Sequence, residues 1–193
     1  MNHTITFTDI YEKHEKPVYN YVLRMVRDQE AAKDLTQDIF IKVYHKLTSF
    51  KGDAQISSWL YRIATNAYVD YLRTKGYRQS TVTDPFEENE DKDSDNKIVK
   101  KVLSIEDQFV KSNMNACIKG FLDNLPEDYR AVIVLHDLQG FKNREIADIL
   151  NCSLGTVKIR LHRARNKFRG VLASNCDFYR NSDSMLSCDR KGN

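Results

Sequence analysis

The chain has 193 residues, 41% of them apolar and 30% charged, which describes an ordinary folded protein of one domain or two small ones. No run approaches the roughly 20 apolar residues needed to span a bilayer, and the opening MNHTITFTDIYEKHEK lacks the basic-then-apolar order of a secretory signal; no membrane insertion and a cytoplasmic location are expected. A net charge of +3 is too small to indicate nucleic acid by itself, and Cys117, Cys152, Cys176 and Cys188 show no CxxC spacing, so reduced thiols are expected rather than a zinc ribbon or a disulfide framework.

Only seven glycines and three prolines interrupt the chain, and apolar residues recur at three- and four-residue spacing, so an all-α fold is predicted. It consists of two helical domains joined by a flexible acidic linker, the C-terminal one containing a helix-turn-helix. The first domain covers 8–78. Within it AAKDLTQDIFIKVYHKL presents Ala31, Ala32, Leu35, Ile39, Phe40, Val43, Tyr44 and Leu47 as a wide apolar face. Asp34, Gln37, Asp38, Ile41 and His45 lie opposite. An isoleucine among acids and amides suits a protein-docking patch, although one exposed isoleucine is also ordinary. FKGDAQISS then breaks the helix at Gly52, with Ser57 or Ser58 as the next N-cap. The following helix mixes Trp59, Tyr61, Tyr68 and Tyr71 with Arg62 and Arg73, a composition that fits stacking on single-stranded bases. The spacing of Trp59, Leu60, Ile63, Ala64 and Ala67 equally fits a packed core.

Residues 79–112 form the acidic linker, where Asp84, Glu87, Glu88, Glu90, Asp91, Asp93 and Asp95 crowd a segment with little to bury. Periodicity returns in a second domain, 113–172, with Pro126 suited to a first helical turn before EDYRAVIVLHDL. Asn143 is predicted to cap a short helix with Ile146, Ala147 and Leu150 on one side. Asn151, Cys152 and Ser153 make a turn, and Ser153 caps the next helix. At 100° per residue that helix buries Val157, Leu161, Ala164 and Phe168. Thr156, Ile159, His162, Arg163 and Asn166 face away, flanked by Lys158, Arg160, Arg165 and Lys167. Between Phe141 and Arg169 eight Lys or Arg face Glu145 and Asp148, a net +6 that is twice the charge of the whole chain. Two capped helices, a three-residue turn, a buried stripe and this charge point to DNA binding, with basic residues on phosphates and the start of the second helix in the major groove.

The order of these motifs resembles the bacterial extracytoplasmic-function sigma factors over about Ile10 to Arg169. DLTQDIFIKVY looks like their helix that docks on the clamp coiled coil of the largest RNA polymerase subunit. FKGDAQISSWLYRIATNAYVDYLR looks like the segment that melts and reads the minus-10 promoter element. LPEDYRAVIVLHDLQGFKNREIADILNCSLGTVKIRLHRARNKFR looks like the domain that reads the minus-35 element. The resemblance implies that Asp34, Gln37, Asp38 and Ile41 contact core RNA polymerase. It implies that the loop with Phe50, Lys51, Gly52 and Ala54 captures a base flipped from the minus-10 strand, with Asn66, Asp70 and Arg73 lining the adjacent DNA surface. Thr156, Lys158, Ile159, His162 and Arg163 would lie in the minus-35 major groove. Relatives often carry a small hydroxyl residue in place of Ile159, so base preference does not carry over there. The implied partners are core RNA polymerase, promoter DNA and an anti-sigma factor of the kind that clamps many relatives. In relatives the connector corresponding to the acidic linker runs through the polymerase cleft toward the RNA exit channel, which makes it either a nucleic-acid mimic or a plain spacer.

A helix-turn-helix regulator of the response-regulator type shares the GTVK start of the second helix but leaves DLTQDIF and WLYRIATN without a purpose. An enzyme would need convergent catalytic groups, yet His3, His14, His45, His136 and His162 are scattered and neither a nucleotide loop nor HExxH occurs. No catalytic residue, metal site or cofactor is expected. The tail, 173–193, holds Cys176 and Cys188, open to a metal-binding or redox role with His162 or Cys152, or to none.

Overall fold

The structure is a computed structural model that describes residues 6–50, 55–76, 120, 122–180 and 186–191. The acidic linker, Lys51, Gly52, Ala54 and Cys117 lie outside the described residues. Helix α1 (Phe7–Val26) opens on a capping box: the Asp9 N–H donates to Thr6 Oγ1 at 3.2 Å and the Thr6 N–H to Asp9 Oδ2 at 2.9 Å. It closes at Arg27 in the left-handed conformation (φ 65°), and Asp28 immediately caps α2 (Gln29–Lys46) by accepting from the Ala31 N–H at 2.8 Å. The resulting tight reversal lays α2 back along α1.

A 3₁₀ turn (Leu47–Ser49) follows, and after it α3 runs over Ile56–Thr74. Its N-cap position is Gln55, with no side-chain bond, so neither Ser57 nor Ser58 caps it; both lie within the first turn, and Ser58 is buried with its hydroxyl unpaired. The aromatics of this helix mostly pack: Tyr61 and Tyr68 are buried, and the Tyr21 and Thr65 hydroxyls share a buried bond of 2.9 Å between α1 and α3.

In the C-terminal half, α4 (Glu127–Ile133) starts after Pro126 and continues as one π-helical turn, Val134–Leu138. Gly140, at φ +76°, then turns the chain sharply, and the Phe141 N–H bonds back to the Leu135 carbonyl at 3.0 Å. Helices α5 (Asn143–Leu150) and α6 (Leu154–Asn175) follow. α6 packs on α4 and α5, and α5 also packs on α3, so Val18, Val22, Ile39, Leu60, Ile133, Ile146 and Phe168 belong to one buried cluster drawn from both halves.

Among the described residues Arg130 is the largest fully buried side chain, 1% exposed, and its guanidinium donates to the carbonyls of Leu122 (3.2 Å), Asp123 (3.4 Å), Leu125 (2.8 Å) and Met25 (3.3 Å). The first three close the turn before α4, and the fourth ties α4 to the last turn of α1. The two helical domains are as expected; beyond α6 the tail, outside them, forms a hairpin in which β1 (Cys176–Arg180) pairs antiparallel with β2 (Leu186–Arg190), placing Cys176 opposite Arg190 and Phe178 opposite Cys188.

Candidate nucleic-acid and polymerase interfaces

The helix-turn-helix is built locally. Lys142, rather than Asn143, is the N-cap of α5; its N–H donates to Glu145 Oε2 at 2.7 Å, while Asn143 is already helical and its side-chain Oδ1 is buried without a hydrogen-bond partner. α5 ends on Asn151 in the left-handed conformation (φ 51°), whose N–H bonds to the Ala147 carbonyl. Ser153 caps α6 as its sequence suggests, accepting from the Thr156 N–H at 3.0 Å and sharing a 2.8 Å bond with the Thr156 hydroxyl. The turn therefore comprises Asn151, Cys152 and Ser153.

Along α6, Val157, Leu161, Ala164, Phe168 and Leu172 are buried. Lys158 and His162 are exposed, and Thr156, Ile159 and Arg163 are half-buried along the same outer side. Asn166 Nδ2 stands 2.8 Å from His162 Nε2 one turn earlier, so the two polar groups of that face are coupled.

Two of the flanking cations do not face outward. Arg160 pairs with Asp128 of α4 at 2.9 Å. Arg165 grips Asp137 with two nitrogens, Nε at 3.2 Å from Oδ2 and Nη2 at 2.5 Å from Oδ1, and His136 Nδ1 lies 2.8 Å from the same carboxylate. Burial by itself raises the Asp137 carboxyl; the bonds from His136 and Arg165 and the Arg165 charge outweigh it and hold the group below its ordinary range. These carboxylates lie outside the basic window, so the positive charge available to phosphates is smaller than the linear count by two. Their role is mechanical. They tie α6 to α4 and to the π-helical turn that continues it.

On α2, Asp34, Gln37, Asp38 and Ile41 are all exposed, spaced three and four residues apart on one outer row. Tyr44, expected on the apolar face, is 60% exposed beside them. On α3, Asn66, Asp70 and Arg73 are exposed at the same spacing, with a 3.4 Å ion pair between Arg73 and Asp70. Two turns before Asn66 on that side, Trp59 packs against Phe50, ring centroids 5.0 Å apart. Phe50 is thus seated where the loop meets α3. Among the described residues no group of three or more His, Cys, Asp and Glu is placed to hold a metal ion, and no described helix is long and apolar enough to cross a membrane. Burial pushes the Cys152 thiol up, against an opposing pull from Arg160 and with a smaller push from Asp128, so Cys152 is a poor thiolate.

A helical body with a helix-turn-helix at one end and exposed acid–amide and polar rows on two other helices defines a DNA-binding protein that also has a protein partner. Residues 10–77 match the family Sigma-70 region 2 and residues 116–168 match Sigma-70, region 4. The chain is 32% identical over 79% of its length to the RNA polymerase sigma-H factor of Pseudomonas aeruginosa, covering 79% of that protein. It is 34% identical to the ECF RNA polymerase sigma factor SigW of Bacillus subtilis over 86% of this chain and 88% of that one. To the ECF RNA polymerase sigma-E factor of Escherichia coli it is 33% identical over 82% of each. In fold it is similar to the sigma factor RpoE in complex with the anti-sigma factor NepR from Bartonella quintana (TM-score 0.63, 23% identity, 86% of this chain and 96% of that one). It is also similar to CnrH in complex with the cytosolic domain of CnrY (TM-score 0.61, 22% identity, 87% and 88% covered). The chain belongs to the extracytoplasmic-function group of RNA polymerase sigma factors. It is an initiation factor rather than an enzyme: with core RNA polymerase it directs promoter-specific transcription.

Sequence reasoning missed three parts of the site: the Asp137–Arg165 pair, the buried Arg130, and an aromatic row on α1 beside α2. Only the last has a sequence signal, the four-residue spacing of Phe7, Tyr11 and Tyr19 with Glu15 between.

Proposed function

We propose that the three exposed rows divide the work of initiation among them. Asp34, Gln37, Asp38 and Ile41 on α2 dock on core polymerase. Phe50, with Lys51, Gly52 and Ala54 of its loop, and Asn66, Asp70 and Arg73 on α3 read the minus-10 element. Thr156, Lys158, Ile159, His162 and Arg163 on α6 read the minus-35 element. In this reading 8–78 is the region 2 unit, 79–112 the linker, 113–172 the region 4 unit and 173–193 an appended tail. The protein acts in the cytoplasm, where its template is, and an anti-sigma protein restrains it, as NepR and CnrY accompany the two structural relatives.

The observation that carries the reading is that Asp34, Gln37, Asp38 and Ile41 on α2 and Asn66, Asp70 and Arg73 on α3 are exposed along one outer row each, and that Lys158 and His162 are exposed away from the buried stripe of α6.

The test is promoter-specific transcription with reconstituted core enzyme. Asp34→Ala with Asp38→Ala should lower affinity for core without changing promoter preference. Arg163→Ala should cost about 1–3 kcal/mol on a minus-35 site and relax preference at one base pair. Lys158→Ala should likewise relax preference at the minus-35 site, and loss of its charge should also flatten the salt dependence of binding. Unchanged core affinity in the first variant, or unchanged promoter preference in the second, would reject the corresponding assignment.

A further inference from the structure

The fold neutralises only part of the positive charge in the helix-turn-helix. Arg160 and Arg165 are held by Asp128 and Asp137, which lie outside the basic window 141–169. With those two arginines set aside, six of the eight cations in the window remain against Glu145 and Asp148, a net of +4. Lys142 and Arg144 of α5 and Lys158 and Lys167 of α6 are exposed, and among the described residues they enter none of the ion pairs. An uncompensated face of this kind holds counterions until a polyanion displaces them.

A complementary polyanion is carried by the same chain. Residues 84–95 hold seven acids against Lys92, a net −6, and lie outside the described residues. The chain is described up to Gly76, just past the end of α3. From there residue 84 is at most about 27 Å away and residue 95 about 65 Å, at about 3.4 Å per extended residue. A body with a radius of gyration of about 16 Å is about 40 Å across, so the outer side of α6 lies within that reach. Tyr68, in the last two turns of α3, is close to Glu127 of α4, and the adjacent Asp128 is paired with Arg160 of α6, so α4 bridges the end of α3 to α6. A segment tethered this way meets the basic face at an effective concentration of about a millimolar, enough for a weak pairing of charges to compete with DNA arriving from solution.

We propose that in the free protein residues 84–95 occupy the outer face of α5 and α6 and compete there with DNA for Lys142, Arg144, Lys158 and Lys167. The proposal rests on the reading that α6 binds the minus-35 element, and it adds an occupant for that surface when no promoter is bound. Exposed pairs of this kind are individually weak, and several acting together are strongest at low salt. Nonspecific binding to duplex comes almost wholly from phosphate contacts, so the acids suppress binding to arbitrary DNA. A partner that draws the segment away uncovers the promoter-reading helix.

The experiment uses the full-length chain without polymerase and has two readouts. The first is zero-length carbodiimide cross-linking mapped by mass spectrometry. Carboxylates of 84–95 are expected to link to Lys142, Lys158 or Lys167 within single chains at low salt, and the links are expected to disappear at high salt or when a minus-35 duplex is added. The second is affinity for an arbitrary duplex, compared between wild type and the combined variant Glu87→Gln, Glu88→Gln, Glu90→Gln and Asp91→Asn, with circular dichroism to confirm folding. The variant is expected to bind about tenfold more tightly at low salt and to converge with wild type at high salt. Tighter binding by the variant without any cross-link to α5 or α6 would mean that the acids repel DNA from a distance, and would overturn the proposal. Cross-links that the duplex does not displace would place the contact off the DNA face and overturn it as well. If cross-links to α6 form but neither protein binds any duplex at low salt, the DNA reading of α6 falls, and the competition falls with it.

Discussion

The Tyr61 hydroxyl donates to Gln139 Oε1 at 2.6 Å, and the Tyr61 ring meets Phe141 edge-on at 4.8 Å, joining α3 to the turn that leads into the helix-turn-helix. The link joins the two halves alongside the core they share and the Arg130–Met25 bond. A chain of this length packed as one body has a radius of gyration of about 16 Å. The minus-10 and minus-35 elements, by their names, stand about 25 base pairs apart, or about 85 Å of duplex at about 3.4 Å per pair. The closed body cannot touch both elements at once. If, as proposed, the α3 row reads the minus-10 element and α6 the minus-35 element, promoter engagement has to break the Tyr61–Gln139 contact. Tyr61→Phe removes about 1 kcal/mol and should shift the closed–open balance roughly fivefold toward open, seen as a longer mean distance between fluorophores on α1 and α6. An unchanged distance distribution would contradict this role.

Asp137→Asn should be far more damaging than an ordinary surface change. It leaves the Arg165 guanidinium half-enclosed without its carboxylate, a loss on the order of 3 kcal/mol. Thermal unfolding should shift down, and affinity for minus-35 DNA should fall even though neither residue is assigned to a base. Normal DNA affinity in a folded Asp137→Asn protein would show that the roll of α6 does not depend on the pair.

The same carboxylate makes an acid signature. Its folded value is depressed, so its contribution is fully present above the ordinary value of about 3.9 and is lost as pH falls below that through the lowered one. Urea unfolding followed from pH 6 down to 3 should show wild type losing stability at the acid end more steeply than Asp137→Asn. Parallel curves would exclude Asp137 as a source of the acid sensitivity.

Arg130→Met should destabilise the whole body rather than one half. Four carbonyl partners are left with an apolar neighbour, at a cost on the order of 3 kcal/mol, and Arg130→Lys should rescue little because an ammonium cannot spread its donors over that fan of acceptors. Calorimetry of the two variants reads this directly; full rescue by Lys would mean that charge, not bond geometry, is what matters.

Ser153→Ala removes the cap of α6 and the partner of the Thr156 hydroxyl together. About 1 kcal/mol of stability should go with it, and preference at the bases facing Thr156 should relax. Ser153→Asp should restore the cap, so retained relaxation in that variant would isolate the Thr156 contribution.

Much of the helix-turn-helix is legible in the sequence. The Asn151–Ser153 turn, the Ser153 cap and the stripe of Val157, Leu161, Ala164 and Phe168 depend on residues three or four apart, and such relations are written along the chain. Cap positions were less legible at Ser57, Ser58 and Asn143, where a suitable side chain stands near the helix start but the backbone enters one to three residues earlier. The tail hairpin escaped because CDFYR and LSCDR are too short for alternation to stand out from polar sequence.

By itself, then, the sequence determined the helical elements, the positive face of α6, the acid–amide row of α2 and the family to which the motifs belong. The tertiary structure alone decided which charges are spent inside the fold. Arg165 meets Asp137 across 28 positions, Tyr61 meets Gln139 across 78 and Arg130 meets Met25 across 105. No periodicity encodes such pairs, because they follow from how separate helices pack, and the same packing sets Tyr11 of α1 beside Ile41 and Tyr44 of α2 in one groove.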